Sequence, residues 1–476
     1  MGYHGKVWNV NFSWRFHTEK NRDNILFFKF FHLCKMSRSN CCIKADITMR
    51  MTSQKQVSKK IFSWALYDWG NSAFSAIILT FVFSIYFSKS VMGDDITGGA
   101  LWGYAISASG LGIALLAPFL GAIADYGGRT RRWIGWLTLI SCLATAGLFI
   151  LTPDAPLMTI GIGLVCLIIA VLSLELALVF YNAQLTVIAP KDRIGRISGW
   201  GWALGYGGGL TALVLALVFL TGLGENFKPL LGVSEDNALN IRATAILVAL
   251  WMGIFTLPLL FATPDLPSRE ADTKRAIRLG IKELWNTLKS VKKHRNIVRF
   301  LIASALYKDG LATLFALGGV YAAAVYDMAL TDILVFAIGL NVTAGLGAFA
   351  FSFIDDKAGS KATIMISLIG LILSGTVALF APDKTSFILI SLCLGLFIGP
   401  TQAASRTYIA RLSPPEITTQ IYGLYAFSGK AIAFLGPLSY GLFIQIWDTH
   451  KAGLSSILIF WSAGLALLTL VKDKRV

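Results

Sequence analysis

Apolar residues dominate this chain in long runs, and short polar segments that hold most of the charged residues separate these runs. Each run is close to the ~20 residues that an α-helix needs to cross a bilayer, whereas membrane-spanning β-strands are shorter and alternate in polarity. The pattern therefore predicts an all-α membrane protein with twelve transmembrane helices. The predicted spans are residues 62–88, 99–124, 133–152, 157–182, 197–222, 241–262, 299–325, 332–354, 362–381, 386–410, 419–446 and 454–471.

Two halves of the sequence resemble each other, which indicates an internal duplication. Segment 121–132, GAIADYGGRTRR, contains an acid, a glycine and basic residues, and segment 352–361 repeats the spacing of the acid, as Asp356, and of the glycine. An offset of 224 residues also aligns the segment that starts at Ala189 with the one that starts at Ser413. Both copies keep the same orientation, so we predict two parallel six-helix bundles, an architecture that secondary transporters use.

This repeat divides the chain into four predicted parts. Residues 1–60 form a basic N-terminal extension, which we expect to be cytoplasmic and disordered. Residues 61–262 and 299–476 form the two bundles, and the second bundle ends in a short tail. The linker, residues 263–298, has apolar residues at helical spacing with basic residues around them. That pattern predicts an amphipathic helix on the inner leaflet of the membrane.

Composition and charge support a membrane protein and predict its orientation. Only 14% of the residues are charged, against ~25% in soluble domains. The net charge of +16 could indicate nucleic-acid binding, but the basic residues concentrate in alternate loops and the intervening loops are acidic. This distribution is the positive-inside bias of membrane proteins. We therefore expect no nucleic-acid partner and a multi-pass membrane protein with both termini in the cytoplasm.

No motif for a cofactor, a metal or an enzyme is recognisable. The six cysteines include no CxxC pair, so neither a disulfide framework nor a zinc site is predicted. The glycines before Lys430 resemble a phosphate-binding loop, but their spacing is one residue too long and Ala431 replaces the required Ser or Thr. We predict no metal, no cofactor and no enzymatic activity, which leaves a small solute and the bilayer as the expected partners.

Charged side chains inside the spans are the strongest candidates for chemistry, because each costs ~2.5–3.5 kcal/mol at a helix centre. They are Asp68, Glu175, Lys308, Asp309, Arg406 and Lys430. Three are acidic and three are basic, so ion pairing that only holds the bundles together is one explanation. A polar cavity that binds a charged or zwitterionic solute is the other, and the residues alone leave both open.

A solute-binding cavity would give these residues distinct roles. Arg406 and Lys430 would receive a carboxylate, for which a guanidinium offers a bidentate contact, and Asp68 or Glu175 would face an ammonium group. The predicted substrate-binding residues are Asp68, Asn71, Glu175, Asn182, Gln402, Arg406 and Lys430. Carboxyl groups in a cavity can also take up and release protons. The candidates for proton coupling are Asp68, Glu175 and Asp309.

Segment 121–132 resembles the loop between the second and third helices of the major facilitator superfamily. In that superfamily, the acid and the basic residues of this loop form a cytoplasmic gate between the two bundles. The implied gate residues are Asp125, Arg129 and Arg131, with Asp356 and Lys361 in the second copy.

Three longer segments resemble the bacterial branch of the vacuole effluxer family, a group within the same superfamily. They are residues 64–74 (WALYDWGNSAF), residues 181–208, and residues 402–406 (QAASR) together with 423–430. The resemblance covers residues 60–471 and implies a twelve-helix permease of the major facilitator fold. It suggests amino acids or similar metabolites as substrates and a bacterial inner membrane as the location. We also expect the chain to function as a monomer.

Two functions therefore remain for the chain. The first is a secondary active transporter that moves a small solute by alternating access, with proton coupling as an option. The second is a transporter-like receptor or scaffold that signals through the linker without net transport. Flux of a solute across a membrane would separate them.

Overall fold

The computed structural model describes residues 57–222, 229–266, 268–270, 272–289, 294–328 and 330–472. Residues from Lys59 onwards form one compact unit, and the described residues contain helices but no β-strand. The helices are α1 (Val57–Val91), α2 (Asp95–Gly127), α3 (Thr130–Gly147), α4 (Leu157–Ile188), α5 (Ile194–Ala216), α6 (Leu239–Ala262), α7 (Thr273–Lys289), α8 (Arg295–Tyr326), α9 (Leu330–Ala358), α10 (Ser360–Leu379), α11 (Lys384–Leu412), α12 (Thr418–Ala431), α13 (Leu435–Trp447) and α14 (His450–Thr469). Most of the predicted extension 1–60 lies outside the described residues.

Twelve helical segments are long and apolar enough to cross a membrane, which confirms the predicted fold class. Helices α1–α6 provide the first six spans and α8–α14 the last six, with α12 and α13 together forming the eleventh. Many helices extend a few residues beyond the predicted apolar runs. The predicted span 157–182 is one example, because α4 continues to Ile188. Apolar runs mark the depth of the bilayer, while the helical hydrogen bonds continue into the polar flanks.

The two halves repeat the same local structure at the predicted offset. Helix α4 ends at Ile188 and α11 ends at Leu412, which lies 224 positions later. A single 3₁₀ turn follows in both halves, and then α5 begins at Ile194 and α12 at Thr418, again 224 positions apart. The duplication inferred from the sequence is therefore present in the structure.

The two bundles meet through two equivalent helix crossings, α2 with α12 and α5 with α9. Both crossings depend on a close approach to a glycine. A Cβ atom on Gly121 would lie 2.5 Å from the carbonyl oxygen of Thr419, and one on Gly199 would lie 2.5 Å from that of Ala348. These contacts define the closed end of the bundle, which comprises residues 121–132, 189–199, 348–361 and 411–423.

Helix α7 lies within the predicted linker and packs against α2. Ala276 and Leu284 are buried, and a Cβ atom on Gly280 would lie 2.7 Å from the carbonyl oxygen of Ala122. Ile277 and Trp285 remain exposed on a different face of α7. The linker is thus attached to the N-terminal bundle, and its location on a membrane leaflet stays a prediction.

Candidate functional site

Asp68 and Arg406 form a buried ion pair between the two bundles. The Nη1 atom of Arg406 donates to Oδ2 of Asp68 at 3.0 Å, and the two side chains are 5% and 12% exposed. Ser198 of α5 accepts twice from the same guanidinium, through its hydroxyl at 3.0 Å and its carbonyl oxygen at 2.6 Å. The opposite bundle therefore satisfies Arg406, and removing Asp68 would leave a buried, unpaired charge.

Aromatic rings surround the same guanidinium. The Cζ atom of Arg406 lies 4.8 Å from the ring centroid of Trp64, and 5.7 Å from those of Tyr181 and Trp202. Trp64 also stacks on Tyr181 with 4.5 Å between the centroids. Cation–π contacts of this kind stabilise a desolvated cation. The three segments that carried the family resemblance therefore meet here, because two of them provide the aromatic rings and the third provides Arg406.

Glu175 and Lys430 form a second ion pair between the bundles, and it is much more accessible. The Nζ atom of Lys430, in the last turn of α12, lies 3.2 Å from Oε1 of Glu175 in α4. The Lys430 side chain is 30% exposed and the Glu175 side chain is 36% exposed. Charged side chains within membrane spans face a bundle interior or a water-filled cavity rather than lipid. We therefore expect this pair to face the interior between the bundles rather than lipid.

Lys308 of α8 adds positive charge next to this pair. Its Nζ atom lies 4.0 Å from the ring centroid of Tyr425 and 3.9 Å from the position of a Cβ atom on Gly429, which directly precedes Lys430. Within the described part of the chain, no carboxylate lies within ion-pair distance of Lys308. Glu175, Lys308 and Lys430 together carry a net charge of +1, so the site is suited to a ligand with an anionic group.

The eleventh span is interrupted where the fifth is continuous. Helix α12 ends at Ala431 and α13 begins at Leu435, whereas α5 runs unbroken through the equivalent positions to Ala216. Asp309 of α8 caps the new helix start, because its Oδ2 accepts from the amide of Gly436 at 2.8 Å. Its Oδ1 is buried and has no hydrogen-bond partner among the described residues.

Among the three candidates for proton coupling, Asp309 is the one without a basic partner in the described ranges. Asp68 and Glu175 are paired with Arg406 and Lys430. No basic side chain in the described ranges lies within 4.0 Å of the Asp309 carboxyl group, so a proton can bind to it without breaking an ion pair.

Asp125 and Asp356 occupy equivalent positions at the closed end. Asp125, in the last turn of α2, accepts from the amides of Thr419 at 2.9 Å and Gln420 at 2.8 Å, in the first turn of α12. Asp356, near the end of α9, accepts from the amide of Arg196 at 3.1 Å, in the first turn of α5. Each carboxylate thus caps a helix of the opposite bundle, where the helix dipole favours negative charge.

The basic residues predicted for this gate form no ion pair across the bundle interface in the described ranges. Arg131 pairs with Asp265 at the start of the linker, with 3.3 Å between Nε and Oδ2. Lys361 donates to the carbonyl oxygen of Val471 at 2.7 Å, beyond the end of the last helix. Arg129 is exposed and has no ion-pair partner in the described ranges. A different base, Arg196, supplies the cation at this interface, with 3.2 Å between its Nε and Oδ2 of Asp356.

The predicted neutral ligands have different surroundings. Gln402 donates from Nε2 to the hydroxyl group of Tyr206 at 3.1 Å, which adds a contact between α11 and α5. The Nδ2 atom of Asn71 is buried without a partner among the described residues. Asn182 is half-buried, and no hydrogen bond of its side chain is present in the described ranges. Asn71 and Asn182 are therefore the two that still have donors and acceptors to offer.

Sequence reasoning missed Ser198, Arg196 and Gly436. Ser198 and Arg196 lie in the segment 181–208 that carried the family resemblance, which was the available signal. Gly436 acts only through its backbone amide, as Thr419 and Gln420 do. Backbone donors have no signature in a sequence because every residue except proline provides one.

A family model described as "Vacuole effluxer Atg22 like" matches residues 56–476. The chain belongs to this family. The chain is 25% identical over 426 residues to the MFS-type transporter YxiO of Bacillus subtilis (strain 168). The aligned region covers 88% of this chain and 96% of YxiO. The chain is 23% identical over 303 residues to autophagy-related protein 22 of Cryptococcus neoformans var. neoformans serotype D (strain B-3501A), which covers 59% of this chain and 53% of that protein. It spans about half the length of the fungal relatives that it matches.

Solved transporter structures share the fold of this effluxer-family chain. The proton:xylose symporter XylE, bound to 6-bromo-6-deoxy-D-glucose, has a TM-score of 0.66 at 15% identity and covers 88% of this chain and 95% of its own. FucP in the outward conformation has a TM-score of 0.66 at 14% identity and covers 88% and 99%. The predicted major facilitator fold is therefore confirmed, and the chain is an integral, multi-pass membrane protein of a transporter family.

Proposed function

We propose that this chain is a secondary active transporter that moves a small zwitterionic solute, such as an amino acid, by alternating access. The Glu175–Lys430 pair carries this proposal, because it joins opposite bundles at 3.2 Å and stays partly exposed. An amino acid presents one carboxylate and one ammonium group. Its carboxylate would bind Lys430 and its ammonium group Glu175, so one ion pair is exchanged for two.

The exposure of the two interbundle pairs supports this assignment. Arg406 is 4% exposed as a whole residue and already has three contacts with Asp68 and Ser198. A ligand would have to displace these contacts, whereas Lys430 has room for a second partner. We propose that the Asp68–Arg406 ion pair holds the two bundles together. The role of Arg406 as a direct ligand stays a prediction, and it would require a conformation in which these contacts are broken.

The packing supports a transport state that is closed at one end and open at the other. Interbundle crossings of α2 with α12 and of α5 with α9 lie at the closed end, while α13, beyond the helix break, packs mainly on α8 and α14 of its own bundle. We propose that the closed end is cytoplasmic, because the basic loops cluster there. In the bacterial inner membrane that we propose, this state faces outward.

Opening the closed end requires the contacts between the bundles to break together. They include the helix caps made by Asp125 and Asp356 and the ion pair of Asp68 with Arg406. A solute that binds between Glu175 and Lys430 would shift the equilibrium only if it binds one state more tightly than the other. Proton binding at the unpartnered Oδ1 of Asp309 would neutralise the carboxylate and weaken its hydrogen bond with the amide of Gly436. A weaker cap would allow α13, the outer part of the eleventh span, to move when a proton binds.

Counterflow in liposomes that contain the purified protein tests the transport proposal. Vesicles loaded with an unlabelled amino acid should accumulate the labelled one, and α-amino acids and dipeptides would be screened first. The control vesicles contain the variant Glu175→Gln with Lys430→Gln, which removes both charges of the pair. Binding without counterflow across the whole panel would favour a receptor or scaffold and contradict transport.

A further inference from the structure

A groove opens between α3 and α6 on the N-terminal bundle, apart from the two interbundle ion pairs. Its volume is about 610 Å³, within the ~300–1,000 Å³ that is typical of small-molecule sites. The walls are mainly apolar and include Trp136, Leu139 and Leu257, and the two arginines Arg131 and Arg132 lie at one end. We propose that this groove binds an anionic phospholipid, with an acyl chain along the walls and the headgroup against the arginines.

The dimensions of the groove fit one leaflet of a bilayer. The lining of α3 extends from Arg131 to Cys142, which is about 16 Å at the ~1.5 Å rise of an α-helix. The hydrocarbon of one leaflet is half of the ~30 Å core, or about 15 Å. Arg131 lies in the first turn of a membrane span that begins at Thr130, at the depth of the lipid headgroups. An acyl chain that follows the groove would therefore end near Cys142.

The charges at the mouth of the groove favour an anionic headgroup. Arg131 is partly neutralised by Asp265, with 3.3 Å between Nε and Oδ2. Arg132 also lines the groove, is exposed, and has no ion-pair partner in the described part of the chain. These three residues leave a net charge of +1. The apolar walls directly below this charge distinguish a lipid from a free phosphate ion, which would use only the mouth.

A glycine in the groove lining offers a variant that should block the groove without disturbing the packing. A Cβ atom on Gly253 would meet no other atom within 4 Å, and Gly253 lines the groove. Gly253→Leu should therefore fill the groove with a side chain and keep the fold. Gly161→Leu on α4 is its matched control, because a Cβ atom on Gly161 also meets nothing within 4 Å and that residue does not line the groove.

The headgroup contact has its own pair of variants. Arg132→Gln removes the unpaired charge at the groove. Lys191→Gln is the control, since Lys191 is exposed at the same closed end but lies outside the groove lining.

Native mass spectrometry of the full protein in detergent tests the proposal. Dioleoyl phosphatidylglycerol and dioleoyl phosphatidylcholine share their chains and differ in net charge. The wild type should retain phosphatidylglycerol preferentially. Arg132→Gln should weaken that retention about fivefold, the contribution of one arginine near a headgroup, and Gly253→Leu should abolish it. Both control variants should retain the lipid as the wild type does.

Three results would overturn the lipid site. The first is undiminished retention of phosphatidylglycerol in Gly253→Leu and Arg132→Gln. The second is equal retention of phosphatidylcholine, which would remove the charge argument. The third is displacement of the lipid by an equal concentration of inorganic phosphate, which would show a phosphate site at the mouth. None of these results depends on transport, so the lipid site and the proposed transport can fail separately.

Discussion

Replacing Asp68 by Asn should release the lock between the bundles. The substitution removes the negative charge and leaves the Arg406 guanidinium 5% exposed and without its carboxylate. Removal of one partner of a buried ion pair costs ~3–5 kcal/mol. Ser198 and the aromatic rings still contact the guanidinium, so we take the lower limit of about 3 kcal/mol. If water reaches Arg406 once the bundles separate, only the closed state bears this cost, and opening becomes favoured on the order of 100-fold.

Spin-label distance measurements across the closed end can detect this shift. Lys191, in the turn between α4 and α5, and Lys357, in the last turn of α9, are exposed there on opposite bundles. Labelled cysteines at both positions would report the separation in a protein whose native cysteines are replaced by serine. Asp68→Asn should populate a longer distance than the wild type does. Asp332→Asn is the control, because it breaks the ion pair with Lys384 inside the C-terminal bundle.

An unchanged distance distribution in Asp68→Asn, at normal expression, would contradict the lock. A second variant separates the cost of an unpaired charge from loss of the contact. Asp68→Asn combined with Arg406→Gln has no buried charge to solvate, and so it should open less than Asp68→Asn alone.

Three further predictions address the gate, the coupling and the helix crossing. Asp125→Asn should lower counterflow while expression is retained, because a hydrogen bond to a charged group contributes ~1.5–3 kcal/mol; wild-type turnover would remove Asp125 from the gate. Asp309→Asn should abolish uptake driven by a pH gradient but keep counterflow, and gradient-driven uptake at the wild-type rate would exclude Asp309 as the coupling acid. Gly121→Ala should separate the closed end, since its Cβ would lie 2.5 Å from the Thr419 carbonyl oxygen. The same spin-label distance should stay unchanged in Gly103→Ala, where a Cβ atom meets nothing within 4 Å.

The spans and the repeat could be predicted from the sequence because both depend on local patterns. A bilayer requires an apolar run of fixed length for each helix, and a duplication preserves turns at a constant offset, as at Ala189 and Ser413. The two acids at the closed end could be predicted for the same reason. Their partners were not, because Asp125 binds backbone amides that lie almost 300 residues away in the chain.

The break in the eleventh span shows where local patterns stop being sufficient. Sequence patterns predicted a continuous span over 419–446. Pro437 disfavours a helix through the preceding turn, yet Pro118, Pro258 and Pro400 lie inside continuous helices. What differs is a tertiary contact, because Asp309 from another helix satisfies the amide freed at Gly436.

From the sequence, it could be predicted only that three acids and three bases lie within the spans and are equal in number. Which acid meets which base depends on how the bundles are placed against each other. The structure pairs Asp68 with Arg406 and Glu175 with Lys430 and leaves Asp309 without a base in the described ranges. The difference in exposure between the two pairs, on which the proposed lock and the proposed binding site depend, also arises only in the folded protein.

Competition for counterflow by two truncated analogues tests the zwitterion site most directly. One analogue is the amine that lacks the carboxylate, and the other is the acid that lacks the ammonium group. Wild-type protein should prefer the intact amino acid over both. Lys430→Gln should weaken the intact amino acid about 10- to 150-fold, the equivalent of one charged hydrogen bond, and leave the amine unchanged. Glu175→Gln should likewise weaken the amino acid and spare the acid. Equal affinity for the amino acid in the wild type and both variants would contradict the proposed site.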